Sequence, residues 1–357
     1  MSCRIPILSC RIPLFFPFRT LLSLSVWNKN PHGIYEKGLC YVFFYMNRLK
    51  CHNERITLAL RLMVGALFVL SAVLKALSVE QFDLYVYEHG LFSLSVTETL
   101  TRLLIAAEFT LGVMLLFRLR FRFAYLCAWL LLAGFTLYLL LLPYLFEVGT
   151  ENCHCFGEKI VFNRNQSILK NLLMMGMLVP IPAENGRRRM PFWVCVVLYA
   201  VALTAIGCYN APNYLYKMVY KSKVRIDEPL FQSAMESRWE ALGNPQGKQL
   251  ICLYSTQCQY CRKAAKKMQL IFQRERLDKR RMNIVFCRLQ PDEEIPRFFE
   301  EQEIDSLAYT VCPVDTFLRI THGKMPVILF VDHRDIVRAA EYLTLQEREI
   351  TAFLREK

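Results

Sequence analysis

Gln249-Leu250-Ile251-Cys252-Leu253-Tyr254-Ser255-Thr256-Gln257-Cys258-Gln259-Tyr260-Cys261 is an apolar run with strand character, then a polar turn, then a Cys-x-x-Cys pair. Arg262 to Arg276 follows with the pattern of a basic amphipathic helix. A strand leading into Cys-x-x-Cys at the start of a helix is the sequence form of a redox-active dithiol. The spacing has a physical reason. A thiolate at a helix N-terminus faces unpaired backbone N–H groups and the positive end of the helix dipole, which lower its pKa. Cys258 is therefore the expected attacking thiol. Cys261, three residues on and on the same face, is the expected resolving thiol. Half a zinc site would need a second pair or nearby histidines, and Cys312, His322 and His333 are too scattered to supply one, so no metal is expected.

Downstream, the pattern predicts a strand over 283–289, a helix over 293–303, a buried strand in the run Lys324 to Val331, a pairing strand over 335–342 and a last helix over 344–356. The stretch 300–323, with Cys312-Pro313, reads as a helical insertion or as a covering helix and loop. Cys252 and Cys287 read as core thiols. This order resembles the thioredoxin superfamily. The resemblance implies that Met325-Pro326 is the cis-proline element that packs beside the dithiol and offers backbone to the substrate. X-Pro is the only bond type for which cis is cheap, and a trans proline opening an edge strand is the competing reading.

Upstream the chain changes character. Hydrophobic residues make up 54% of 357, above the usual share of roughly 45–50%, and they are bunched before residue 210. Apolar segments at 56–77, 99–117, 123–146, 167–182 and 190–209 predict five membrane helices, since a span needs about 20 residues. The segment at 167–182 is short and carries Lys170 and Asn171. The formal charge of +13 comes largely from arginines beside apolar runs, where they orient helices; no aromatic-interleaved basic motif points to nucleic acid. Arg118, Arg120 and Arg122, with Arg187, Arg188 and Arg189, mark inner loops, whereas Ser78 to Glu98 has no Lys or Arg. Counting these loops places the N-terminus inside and the C-terminal region outside. Residues 1–45 carry a short duplication, Ser-Cys-Arg-Ile-Pro, and read as an extension ahead of a start at Met46.

Lys75 and Glu108 fall inside predicted spans. Such groups are costly in lipid and face the bundle interior, so the two are expected to pair; the alternative is that Lys75 snorkels to the interface. After the third span comes Glu151-Asn152-Cys153-His154-Cys155-Phe156-Gly157. A Cys-x-Cys disulfide requires a tight turn and exchanges readily.

Phe68 to Ala76, the Glu108-bearing span, and Asn152-Cys153-His154-Cys155-Phe156-Gly157 followed by Ser167 to Asn171 resemble the MauE/DoxX family of redox-associated membrane proteins, over about residues 56–185. In that family the middle residue of the pair is usually Gly; here it is His154, a candidate proton acceptor. The resemblance implies a four-helix membrane core whose Cys153 and Cys155 take part in disulfide formation in, or electron delivery to, exported proteins.

The expected architecture is thus a polytopic helix bundle at 46–210, a four-helix core plus one extra span, then a linker at 211–246 and an α/β thioredoxin-like domain at 247–357. The expected function is a membrane thiol-disulfide oxidoreductase of the bacterial inner membrane. Its C-terminal domain is expected in the periplasm, and its partners are the bilayer and exported proteins with thiols or disulfides. No cofactor motif is present; an oxidising direction would call for a membrane quinone as acceptor, and the direction stays open. An assembly factor without turnover and a small-molecule transporter using Lys75 and Glu108 are the competing classes.

Overall fold

The structure is a computed structural model that describes residues 35–145, 152–153, 162–181, 191–219, 224–242, 247–288, 294–302, 304 and 307–356; side chains before Glu54 are not described. The chain divides into two compact units, Met1–Ile56 and Thr57–Lys357. Of the first, residues 35–56 are helical; the duplicated stretch lies outside the described residues.

The helical part comprises α1 (Tyr35–Leu77), α2 (Val79–Glu88), α3 (Leu94–Leu116), α4 (Phe121–Leu145), α5 (Arg164–Leu178) and α6 (Phe192–Tyr209). Among the described residues four helices are long and apolar enough to cross a membrane: Glu54–Leu77, Leu94–Leu116, Phe121–Tyr144 and Phe192–Tyr209. The predicted span at 167–182 is the 15-residue α5, shorter than the roughly 20 residues of an upright crossing. Apolar residues point outward as well as inward. Leu130 is 64% and Leu137 56% exposed, the pattern of a surface solvated by lipid. Inside, Val64, Phe68, Met114, Leu115, Ala128 and Met174 join α1, α3, α4 and α5 in one cluster.

α1 and α3 meet through glycines. A Cβ on Gly112 would lie 2.8 Å from the Val69 backbone nitrogen and 2.9 Å from the Gly65 carbonyl oxygen. Small residues of this kind let membrane helices approach backbone to backbone.

Beyond α6 come α7 (Asn213–Val219) and α8 (Glu228–Met235), then a mixed sheet: β3 (Lys248–Tyr254), β4 (Met282–Arg288), β5 (Tyr309–Pro313), β6 (Val327–Asp332) and β7 (Asp335–Glu341). A two-residue pair, β1 (Asn152–Cys153) and β2 (Phe162–Asn163), precedes α5. The large sheet runs in the order β5-β4-β3-β6-β7. Strands β3, β4 and β5 are parallel, and β6 and β7 return antiparallel. Helices α9 (Gln259–Arg274), α10 (Glu294–Glu301) and α12 (Glu347–Arg355) cover one face; α8 and α11 (Val314–Thr321) cover the other.

Both faces of the central strands β3, β4 and β6 are buried, which is why these read as largely apolar runs and not as alternations, whereas the edge strands β5 and β7 are mixed. Side chains still alternate. Leu250, Cys252 and Tyr254 face the α9 side with Met268 and Phe272, while Ile251 and Leu253 face Phe231, Trp239 and Phe317. Residues 224–242 are therefore part of this packing.

The expected insertion at 300–323 is corrected: it contains the edge strand β5 before α11. Tyr309-Thr310-Val311 has β-branched and aromatic character, and Pro313 closes the strand at an edge where no ladder donor is needed. A second difference lies in Ser78 to Glu98, which is largely helical: α2 takes up about half of it, burying Phe82, Leu84, Tyr85 and Tyr87, and α3 already begins at Leu94.

Candidate functional site

β3 ends at Tyr254 and Ser255 to Gln257 turn the chain into α9. The Cys258 N–H donates to the Ser255 carbonyl at 3.2 Å, and the Arg262 N–H to the Cys258 carbonyl at 3.1 Å. The Thr256 hydroxyl bonds Glu294 at 3.1 Å and the Arg262 guanidinium bonds the Thr256 carbonyl, so α10 braces the turn. Cys258 is the N-cap of α9, and its sulfur accepts the Cys261 N–H at 3.4 Å. The cap geometry aims the thiol at the donors that the helix leaves unpaired.

The two thiols differ sharply. Cys258 is half-buried, and its pKa is drawn from 9.0 down to about 6. The largest cause is a hydrogen bond from the Cys261 thiol; the N–H groups of Cys261 and Tyr260 add to it, and burial opposes it. Cys261 is wholly buried, and burial first, then its bond to Cys258, pushes its thiol far up. One cysteine is held as the thiolate and the other as its proton-bearing partner. Behind them Cys252 is buried in β3, and burial raises its thiol to about 12. An inert core thiol is what the sequence indicated there.

The Met325–Pro326 peptide is cis. Because Val327 pairs with Leu253 and β6 runs opposite to β3, Pro326 sits at the end of the sheet where the cysteine turn begins. Met325 packs against the core on both faces.

In the bundle, Lys75 and Glu108 form the expected pair, at 2.5 Å, with 2% and 3% exposure. Ser71 donates to the same carboxylate at 3.3 Å, and the Lys75 ammonium lies 5.4 Å from the Phe82 ring centroid and 5.2 Å from that of Phe135. Lys170 and Asn171 of α5 border the same cavity of about 20 Å³, a juxtaposition that the sequence alone did not reveal. Cys153 stands in β1 opposite Phe162 at the head of α5. His154 and Cys155 lie outside the described residues, as does the Cys153 side chain.

Sequence reasoning also missed a polar cluster where α2 and α3 meet α9. Asp83 pairs with Arg102 at 2.5 Å and accepts a bond from Thr101. Glu98 accepts from the Asn213 amide nitrogen at 3.0 Å and from its side chain at 2.8 Å. Lys267, 1% exposed, donates to the Leu345 carbonyl at 3.1 Å. Burial raises the Asp83 carboxyl to about 7, against the pull of Arg102. The available signal was a charge contrast: no cation in Ser78 to Glu98, and many in α9.

These features define a class: a membrane protein of several spanning helices, joined to a mixed α/β region with a dithiol at a helix N-terminus. Residues 53–183 match the family model described as Methylamine utilisation protein MauE, a stretch holding Lys75, Glu108, Cys153 and Cys155. The chain is also similar to "Protein TlpB" of Flavobacterium psychrophilum, 30% identical over 136 residues, which are 36% of this chain and 37% of that protein. The chain thus spans little more than a third of the length of the curated relative it matches. No solved structure matches it significantly.

Proposed function

We propose that the protein is a membrane thiol-disulfide oxidoreductase in which a thioredoxin-like region works with the Cys153/Cys155 pair of a MauE/DoxX-like membrane core. The observation that carries this reading is the asymmetry of the α9 thiols, Cys258 drawn down to about 6 and half-buried beside a wholly buried Cys261. The thioredoxin-like assignment draws support from the sheet order, the dithiol at the N-terminus of α9 and the position of Pro326 at the same sheet end.

In the proposed exchange the Cys258 thiolate attacks a Cys153–Cys155 disulfide. One sulfur bonds to Cys258 and the other leaves as a thiolate. Cys261, deprotonated as its proton passes to the leaving sulfur, then attacks Cys258. The products are a Cys258–Cys261 disulfide and a reduced membrane pair, with two electrons moved and none lost. The reverse sequence oxidises the α/β dithiol's partner instead. Exported proteins with thiols or disulfides are the proposed clients, on the periplasmic side of a bacterial inner membrane: four crossings from an inner start would return the chain inside, so this side rests on the packing of α9 against α2, with Lys263 on Glu80, in the cation-free segment after the first span. In the oxidising direction the membrane pair would pass its two electrons to an acceptor of the quinone class. The transporter reading finds little support in the Lys75–Glu108 cavity, whose size of about 20 Å³ suits roughly one water.

The test is peptide mass spectrometry, without reductant, of membranes containing Cys261→Ser. With the resolving thiol gone, a peptide joining Cys258 to Cys153 or Cys155 is expected. Adducts on other proteins alone would remove the internal relay. Alkylation of Cys258 from the cytoplasmic side alone would overturn the topology.

A further inference from the structure

The expected linker at 211–246 leaves open whether the dithiol region swings or stays. We propose that α2 and the turn into α3 form a cradle that fixes the flank of α9, with Lys263, Lys267 and Arg274 as positioning residues. Cys258 then works from one docked place instead of at the end of a mobile arm. This inference rests on the reading of Cys258 as the attacking thiol.

Around a helix of 3.6 residues per turn, Lys263, Lys267, Leu270 and Arg274 fall within about 60° of one another. Each meets the cradle or its border. Lys263 pairs with Glu80 at 2.8 Å. Arg274 bonds the Phe92 carbonyl and stacks its guanidinium 4.6 Å from the Tyr87 ring centroid. Lys267 is enclosed near Glu98, Glu80 and Asp83, with its ammonium 5.0 Å from the centroid of Tyr342. Leu270 shares one apolar cluster with Leu84, Tyr87 and Leu94, so the core of the α/β region continues into the helical part without a break. Two further clamps come from α12: Glu347 accepts the Leu94 N–H at 2.9 Å, and Glu349 pairs with Lys217 of α7.

The signs are complementary. Ser78 to Glu98 holds Glu80, Asp83, Glu88 and Glu98 and no Lys or Arg, while the docking stripe of α9 is cationic. Cys261 points to the opposite side of α9, into the sheet core. Gln257, Gln259 and Tyr260 at the free end are exposed. The cradle holds the helix by its flank and leaves the end bearing Cys258 open to a disulfide. A cavity of about 300 Å³ bordered by Asp83, Glu98, Arg102, Tyr260 and Lys267 lies within the seam.

The experiment uses the full chain in lipid nanodiscs, with hydrogen–deuterium exchange of residues 79–88 and the rate of Cys258 adduct formation in the Cys261→Ser background. Lys263→Glu sets a like charge against Glu80 and Arg274→Glu removes the donor to the Phe92 carbonyl, so the two together should raise exchange in α2 by about tenfold or more. The same change should slow the Cys153/Cys155 adduct by a similar factor while leaving the reaction of Cys258 with a small aromatic disulfide unchanged. Glu80→Lys added to Lys263→Glu should restore part of both, a rescue that a merely structural effect would not give. Unchanged α2 exchange overturns the cradle, as does increased exchange with an unchanged adduct rate. Should protection of β3 and β6 also fall, the variant has unfolded, and Glu80→Lys alone, on the bundle side, carries the same expectation. A missing internal adduct in the unreversed protein sinks the relay reading, and the exchange and rescue measurements then decide the cradle by themselves.

Discussion

The helical bundle and the α/β region bury their side chains in opposite senses. In the α/β region Leu250, Ile251, Val327 and Ile328 are wholly enclosed, and the polar site lies at the rim of that core. In the bundle Leu126, Leu130 and Val201 stand more than half exposed, while Lys75 and Glu108 occupy the interior. The same apolar residues thus solvate the protein in lipid in one region and drive its collapse in the other. Charge follows the same inversion. A buried ion pair is a liability that must be kept intact, whereas a thiol at a helix end gains reactivity from being only half covered.

The contrast can be broken or sharpened by experiment. The largest effect is expected at the rim. Cys258→Ser should lower dithiol turnover by about a thousandfold or more, as loss of a nucleophile does, in an assay of the full chain; a variant within tenfold of the parent would remove Cys258 from the chemistry. In the bundle, Lys75→Met or Glu108→Leu alone should each cost about 3–5 kcal/mol in detergent unfolding, because a charge is left buried without its partner. The double variant should cost much less than the sum, and simple additivity would mean that the pair does not couple. Phe231→Ala should destabilise the α/β region by about 3 kcal/mol if residues 224–242 are part of its core; a negligible change in denaturant midpoint would return them to a linker role.

The smallest signal is the pH dependence. Iodoacetamide should react with Cys258 at a rate that is level above about pH 6 and falls tenfold per unit below it. The folded pKa is depressed, so the thiolate stabilises the reduced fold. That contribution is complete above the ordinary thiol value of 9.0 and is lost as pH falls through about 6. The stability gap between the parent and Cys258→Ser should therefore widen from pH 6 to pH 9; a gap that is flat across that window would contradict the depressed thiol.

The sequence was most legible where a local rule acts. The run Gln249 to Tyr254 is β3 with one residue added, and the Cys258 cap follows from helix-end chemistry. Four apolar segments emerged as helices within a few residues of their expected bounds. Elements whose reason lies elsewhere in the chain were harder to read. β5 exists because β4 offers an open edge, and Pro313 masked its ending. α2 is held by contacts with α9, some 180 residues away, of which Lys263 to Glu80 is one. Lys267 looked like one more cation on a basic helix; only the fold reveals that it is enclosed. Lys170 likewise joins Lys75 and Glu108 through packing that no spacing in the chain encodes.

The glycine seam between α1 and α3 has a mechanical consequence. With Gly112 seated against Val69 and the Gly65 carbonyl, no larger residue fits at position 112 unless the two helices move apart. Lys75 lies ten residues beyond Gly65 on α1, roughly 15 Å along the helix, and Glu108 one turn from Gly112 on α3. A side chain added at Gly112 would thus part the helices one turn from Glu108 and pull on the ion pair without touching either of its members.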